Sequence, residues 1–201
     1  MVQPPLFYRL LFPNGIWRKK LPGRKVAYIT FDDGPIPEVT PRILDILDSF
    51  GVKATFFVVG DNAHKFPDLM QEIIHRGHTI GNHTMHHLRG LHTKTDTYVS
   101  DVNQANELLH SALFRPPHGL LKWGQIRRLR ASYKLVMYDV VTRDYDKEIS
   151  FQEVLNNVIR FTRNGSIIVF HDSIKTQHCT LQALPHAITW LQTNGYELLP
   201  L

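Results

Sequence analysis

Two aspartates stand side by side in ITFDDGP, at the end of an apolar run and immediately ahead of Gly34 and Pro35. Further along, in GNHTMHHLRG, His83 and His87 stand four apart within the densest histidine cluster of the chain, which holds six of its twelve histidines between His75 and His92. Imidazoles four apart share a face if the stretch makes a helical turn, and can then close on one metal ion. Alone, such a pair is commonly surface chemistry of no consequence. Two histidines plus a strand-end carboxylate are a different matter, because they supply the ligand set of a catalytic zinc site with room left for water and substrate. That set also accounts for the doubled aspartate: one carboxylate binds metal while its neighbour stays free to take a proton from water. The competing reading of DDGP alone is a strand-to-helix turn, in which one aspartate caps the backbone and Gly34 permits the bend.

The elements that must position these groups are short β-rich runs alternating with segments of helical period. KVAYITF, ATFFVV, LFRPP, KLVMYDV, SIIVF and YELLPL read as strands, being short, apolar and rich in β-branched and aromatic residues. Between them, Pro41 opens a helix carrying Ile43, Leu44, Ile46 and Leu47, and Pro67 opens another that Gly77 stops. Ser150 and Glu153 have the spacing of a capping box. Three more periodic stretches lie near 99–109, 120–129 and 181–191. With HTIGN as a short strand, the alternation gives about seven strand-helix units, hence an α/β chain close to a β/α barrel, in which chemistry sits at the C-terminal ends of the strands.

A chain of 201 residues, 43% hydrophobic and 20% charged, fits one soluble globular domain. The net charge of +5 favours anionic partners in general, but no nucleic-acid-binding signature accompanies it, and nucleic acid is not expected as a partner. Cys179 is the only cysteine, so no internal disulfide forms, which fits a reducing compartment. The start lacks a basic residue ahead of its apolar part, and Arg9 divides that part. A cleaved signal is therefore not expected, and the cytoplasm, peripheral to the membrane at most, is the expected location. Residues 1–24 read as an extension packing on or beside the barrel, and 25–201 as the catalytic domain. Contact of Leu6 to Trp17 and the basic run Arg18, Lys19, Lys20, Arg24 and Lys25 with an anionic membrane surface is the less favoured reading of the extension. The oligomeric state is not legible.

TFDDGP, HTMHH, FRPPHG, RDY and IIVFH, in this order between Thr30 and His171, resemble the five motifs of the polysaccharide deacetylase family, also called the NodB-homology or carbohydrate esterase 4 family. The resemblance implies a distorted (β/α)7 barrel. It implies that Asp33, His83 and His87 hold a divalent metal, usually zinc, with cobalt or nickel as alternatives. Asp32 would be the general base and His171 the general acid; Arg115 would orient Asp32, and Asp144 would hydrogen-bond His171 and keep it protonated. The backbone N–H of His118 would bind the oxyanion.

Several positions depart from the family pattern. His118 replaces the usual tyrosine after Arg-Pro-Pro. Val141 and Tyr145 replace an aspartate and a tryptophan in the fourth motif, and Val169 replaces the leucine of Leu-x-His. These point to altered walls around the acetyl group, with His118, Tyr145 and Val169 as substrate-contacting residues. The expected activity is removal of an acetyl group from an N-acetylated sugar of a glycan or sugar-containing precursor, releasing acetate and a free amine. The alternatives are an O-acetyl esterase on a polysaccharide, a catalytically silent glycan-binding module, and a non-haem iron oxygenase, which also uses two histidines and a carboxylate. The remaining eight histidines read as structural or solvent-facing.

Overall fold

The computed structural model describes residues 2–201. Its centre is β1 (Val26–Asp32), all seven residues of which are buried. Parallel neighbours are β2 (Thr55–Val58) and β7 (Ser166–His171). The sheet extends through β3 (Thr79–Asn82), β4 (Leu113–Phe114) and β5 (Lys134–Leu135) on one side and β6 (Val140–Val141) on the other, in the order β5-β4-β3-β2-β1-β7-β6. A short β8 (Glu197–Leu198) pairs with the start of β1. The result is a curled half-barrel of seven parallel strands flanked by helices, the distorted (β/α)7 architecture that the resemblance implies and close to the β/α barrel that the alternation suggests.

The helices are α1 (Leu6–Leu10), α2 (Thr40–Ser49), α3 (Gly60–Lys65), α4 (Pro67–His75), α5 (Thr95–Leu109), α6 (Trp123–Leu129), α7 (Phe151–Phe161) and α8 (Gln177–Thr193). In α7 the capping box forms: the Glu153 amide donates to Ser150 Oγ, while the Ser150 amide donates to the Glu153 carboxylate. Side chains alternate across β1. Ala27, Ile29 and Phe31 belong to the core under the helices, where Phe31 stacks on Phe56 with centroids 4.9 Å apart. Val26 and Tyr28 join a separate cluster with Phe57, Val136 and Ile167. Thr30 and Asp32, two residues on, share that second side.

Register then gathers the chemistry at one rim. Asp32 pairs with Phe57 on one side and His171 on the other, Val58 pairs with Asn82, and Asn82 pairs with Phe114. His83 and Arg115 therefore leave adjacent strand ends, level with Asp32 and His171.

Two expectations need correction. KLVMYDV is not one strand: β5 and β6 lie at opposite ends of the sheet, and the buried Asp139 between them ties the link to Ser166 and Arg163. His83 to His87 is not a helical turn either, because Thr84 and His87 both take left-handed backbone angles, with φ of 67° and 53°.

The N-terminal segment lies along the barrel. Tyr8 and Phe12 are buried, Ile16 bridges Val136, and the Lys19 amide donates to the Gly165 carbonyl just ahead of β7. The basic run thus lies at the N-terminal rim of the strands, away from the end where His83, Arg115 and His171 emerge.

Candidate active site

Asp32 and Asp33 are neighbours in sequence and part company in space. Asp33 has a φ of 84°, a conformation that L residues seldom adopt, and its carbonyl accepts from Asn62 Nδ2 at 2.7 Å. This bend turns the two carboxylates towards different partners. Asp32 Oδ1 accepts from Arg115 Nη1 at 2.6 Å, whereas Asp33 Oδ1 lies 3.2 Å from His87 Nε2 and 3.7 Å from His83 Nε2.

One ligand atom from each of Asp33, His83 and His87 falls within 4.8 Å of the other two, so the three can hold one metal ion. The proton states suit that purpose. His83 Nδ1 is 2.8 Å from the Arg115 carbonyl, which can only accept, so the proton sits on Nδ1 and the lone pair is on Nε2. Burial, partly opposed by Asp32, lowers the His83 pKa to about 4, keeping the ring neutral. Burial alone would raise Asp33. The hydrogen bond to His87 and the charges of His171, His83 and His87 instead hold it well below the usual carboxylate range.

Arg115 is buried, with its guanidinium over the Phe57 ring, and its Nη1 also reaches Thr30 Oγ1 at 2.8 Å while Nη2 donates to the Met137 carbonyl. It fixes one oxygen of Asp32. No protein donor reaches the other oxygen among the described residues.

Across the rim, His171 Nδ1 is 2.7 Å from Asp144 Oδ1, and Asp144 Oδ2 accepts from the His171 amide and from Thr180 Oγ1, each at 2.7 Å. Burial by itself would lower the pKa of His171. The charge and hydrogen bond of Asp144, followed by Asp33 and Asp32, push it up to about 9, so the ring is protonated at neutral pH.

These groups face a cavity of about 410 Å³. Asp32, Asp33, His83, His87, Arg115, His118, Tyr145, Val169 and His171 all line it, while Asp144 stands behind His171. His118 has a left-handed φ of 58° followed by Gly119 at 73°, and its amide donates to no protein group among the described residues. The ring of His118 packs edge-on against His87 at 5.0 Å, as Tyr145 does against His171 at 5.2 Å. Gly119, the last residue of FRPPHG, also lines the cavity, as do Met137 and Tyr138, which belong to none of the five motifs. Behind the site, Asp172 is buried and accepts from Thr40 Oγ1 at 2.6 Å. A carboxylate at the end of an apolar strand was available as a signal there, as it was for Asp32.

A site of this kind can activate a water, stabilise an oxyanion and protonate a leaving group. Residues 19–133 match the family described as polysaccharide deacetylase. The chain belongs to the polysaccharide deacetylase family. Among its relatives, it is 30% identical to a peptidoglycan-N-acetylglucosamine deacetylase of Bacillus cereus over 201 residues, spanning 96% of this chain and 94% of the relative. A chitooligosaccharide deacetylase of Bradyrhizobium sp. is also 30% identical, over 89% of this chain and 90% of the relative. The crystal structure of a peptidoglycan N-acetylglucosamine deacetylase in complex with a naphthalenyl N-oxidanyl-benzamide superposes with a TM-score of 0.89 at 30% identity, covering 98% of this chain and 95% of that one. This member of the polysaccharide deacetylase family therefore shares the family's half-barrel along nearly its whole length.

Proposed function

We propose that the protein is a metal-dependent hydrolase that removes the acetyl group from an N-acetylated sugar residue of a glycan, releasing acetate and leaving a free amine. The observation that carries this reading is the division of labour between adjacent aspartates: Asp33 faces two histidines while Asp32, held by Arg115, keeps one oxygen unpartnered at the cavity. The names of the relatives, which specify N-acetylglucosamine in peptidoglycan and chitooligosaccharides, support an N-acetylated glycan as the substrate class.

Asp33, His83 and His87 offer one oxygen and two imidazole nitrogens, a donor set that suits zinc and also accepts cobalt or nickel. A divalent ion held there would polarise the acetyl carbonyl and acidify water. The residues of the chain carry the proton traffic. Asp32 takes the proton of the attacking water on its unpartnered oxygen, while Arg115 fixes the carboxylate in place. The free amide of His118 donates to the developing oxyanion, a preorganised contact worth about 3 to 4 kcal/mol. His171, kept protonated by Asp144, then gives its proton to the departing nitrogen. Tyr145, Val141 and Val169 form the walls near His171 and confine the acetyl group.

The test is acetate release by zinc- or cobalt-loaded protein from N-acetylated chitooligosaccharides and from acetylated xylan. Release from the first supports the proposal. Release from xylan alone would replace it with an O-acetyl esterase.

A further inference from the structure

The short helix α1 turns the wrong side to water. Tyr8 and Phe12 are buried, and Arg9 reaches the buried Asp139 at 2.8 Å, so its inner side is fixed to the domain. Its outer side shows Leu6, Phe7, Leu10 and Leu11, which are 74%, 70%, 67% and 44% exposed. A surface helix ordinarily gives polar residues to solvent, and adjoining apolar side chains of this size mark a surface that is covered by something.

The location of the patch decides what it is near. The Tyr8 hydroxyl donates to the Gly119 carbonyl, and Gly119 lines the catalytic cavity, so α1 stands on the rim of the active site. Leu120 and Trp123, the latter 63% exposed, continue the apolar surface along the chain. Beside them, Phe12, Pro13 and Trp123 share a groove with Arg127 and Arg130. Neither arginine pairs with a carboxylate among the described residues, whereas their neighbour Arg128 pairs with Asp96.

Aliphatic side chains, an exposed tryptophan and unpaired guanidinium groups at their edge are the composition of a protein face resting in a water–lipid interface. A two-fold contact between copies of this chain is less well served. It would bury the same patch twice and bring two sets of cations together with no acids to answer them. No helix among the described residues is long and apolar enough to cross a membrane, so the contact is peripheral. The basic run 18–25 lies at the other rim and takes no part.

We propose that α1 and the segment from Leu120 to Trp123 dock the mouth of the active site onto an anionic lipid bilayer, with Arg127 and Arg130 against the headgroups. The docking goes beyond the deacetylase reading. Its consequence, that the glycan is presented at a membrane surface, rests on that reading.

The experiment is co-sedimentation of the full chain with phosphatidylglycerol-containing vesicles and with pure phosphatidylcholine vesicles, at low and high salt. The parent should bind the anionic vesicles, less so in high salt, and Phe7→Ser/Leu10→Ser and Arg127→Gln/Arg130→Gln should each weaken binding about tenfold or more. Turnover of a soluble chitooligosaccharide by the Phe7→Ser/Leu10→Ser variant should stay at the parent's level, which separates failure of docking from failure of the deacetylase reading. Absence of vesicle binding, or binding indifferent to both double variants, overturns the proposal. A dimer in light scattering that Phe7→Ser/Leu10→Ser dissolves assigns the patch to a second copy instead and also overturns it.

Discussion

Asp32 and Asp33 share a peptide bond and nothing else: the first carboxylate is held by Arg115 at 2.6 Å, the second lies 3.2 Å from His87. The left-handed backbone of Asp33 lets both carboxylates still face one cavity, since an ordinary strand would send the two side chains to opposite faces of the sheet. Binding and catalysis can therefore be separated by substitution. Asp33→Ala and His87→Ala should each weaken zinc binding about 100-fold or more, while Asp32→Asn keeps the parent's affinity. Competition against a chromophoric chelator measures this. Zinc at about 100 times its dissociation constant should also add about 2.7 kcal/mol to the parent's stability, and a chelator should remove it.

The pair of His171 and Asp144 carries a pH signature. In the metal-free protein the folded pKa of His171, about 9, lies above its ordinary 6.5. The stability from this group is therefore complete below about 6.5 and is lost as pH rises through about 9. Asp144→Asn should flatten that loss in urea unfolding, and should move the alkaline limb of acetate release to lower pH. An unchanged pH profile would contradict the assignment of Asp144.

Asp172 titrates at a lower pH than His171. Burial pushes its carboxyl up to about 7, against the hydrogen bond from Thr40, and its Oδ1 has no partner. A carboxyl raised from 3.8 costs the fold stability as pH climbs from about 4 to about 7. Asp172→Asn should remove that slope. The same side chain excludes any Cβ at Gly34, which would collide with Asp172 Oδ2. Gly34→Ala should cost about 1 to 3 kcal/mol through overpacking, with the DDGP turn displaced and activity lost along with it.

Tyr8 braces the loop of His118 and Gly119 from outside it. Its hydroxyl donates to the carbonyl of Gly119, the second of two consecutive left-handed residues. Tyr8→Phe leaves that carbonyl without its donor and should cost about 1 to 3 kcal/mol. On the proposed mechanism, in which the His118 amide donates to the oxyanion, it should also lower kcat more than it raises KM. Parent-like unfolding and turnover would show the brace to be idle.

Much of this was legible in the chain. The β-branched runs around Ile29 and Ile168 marked strands, and a strand end marked Asp32 and Asp33, but the pairing that sets Asp32 beside His171 belongs to the sheet order, which no local pattern encodes. The His83 and His87 spacing pointed to a shared ligand position for the wrong local reason. A helical turn would have juxtaposed them, but two left-handed residues do so instead, a choice set by tertiary packing that the spacing does not encode. KLVMYDV read as one strand because hydrophobicity dominates it. The buried charge of Asp139, satisfied by Arg9, Arg163 and Ser166 far away in sequence, breaks it in two. Tyr8 was invisible for the same reason: its partner is 111 residues away, and no local pattern announces it.

The most direct test of the central claim is the rate of acetate release from a chitooligosaccharide by zinc-loaded parent and Asp32→Asn at equal metal occupancy. Asp32→Asn should lose about 100- to 10,000-fold with zinc retained, the range expected when a general base is removed. Release at the parent's rate by the zinc-loaded variant would contradict that claim.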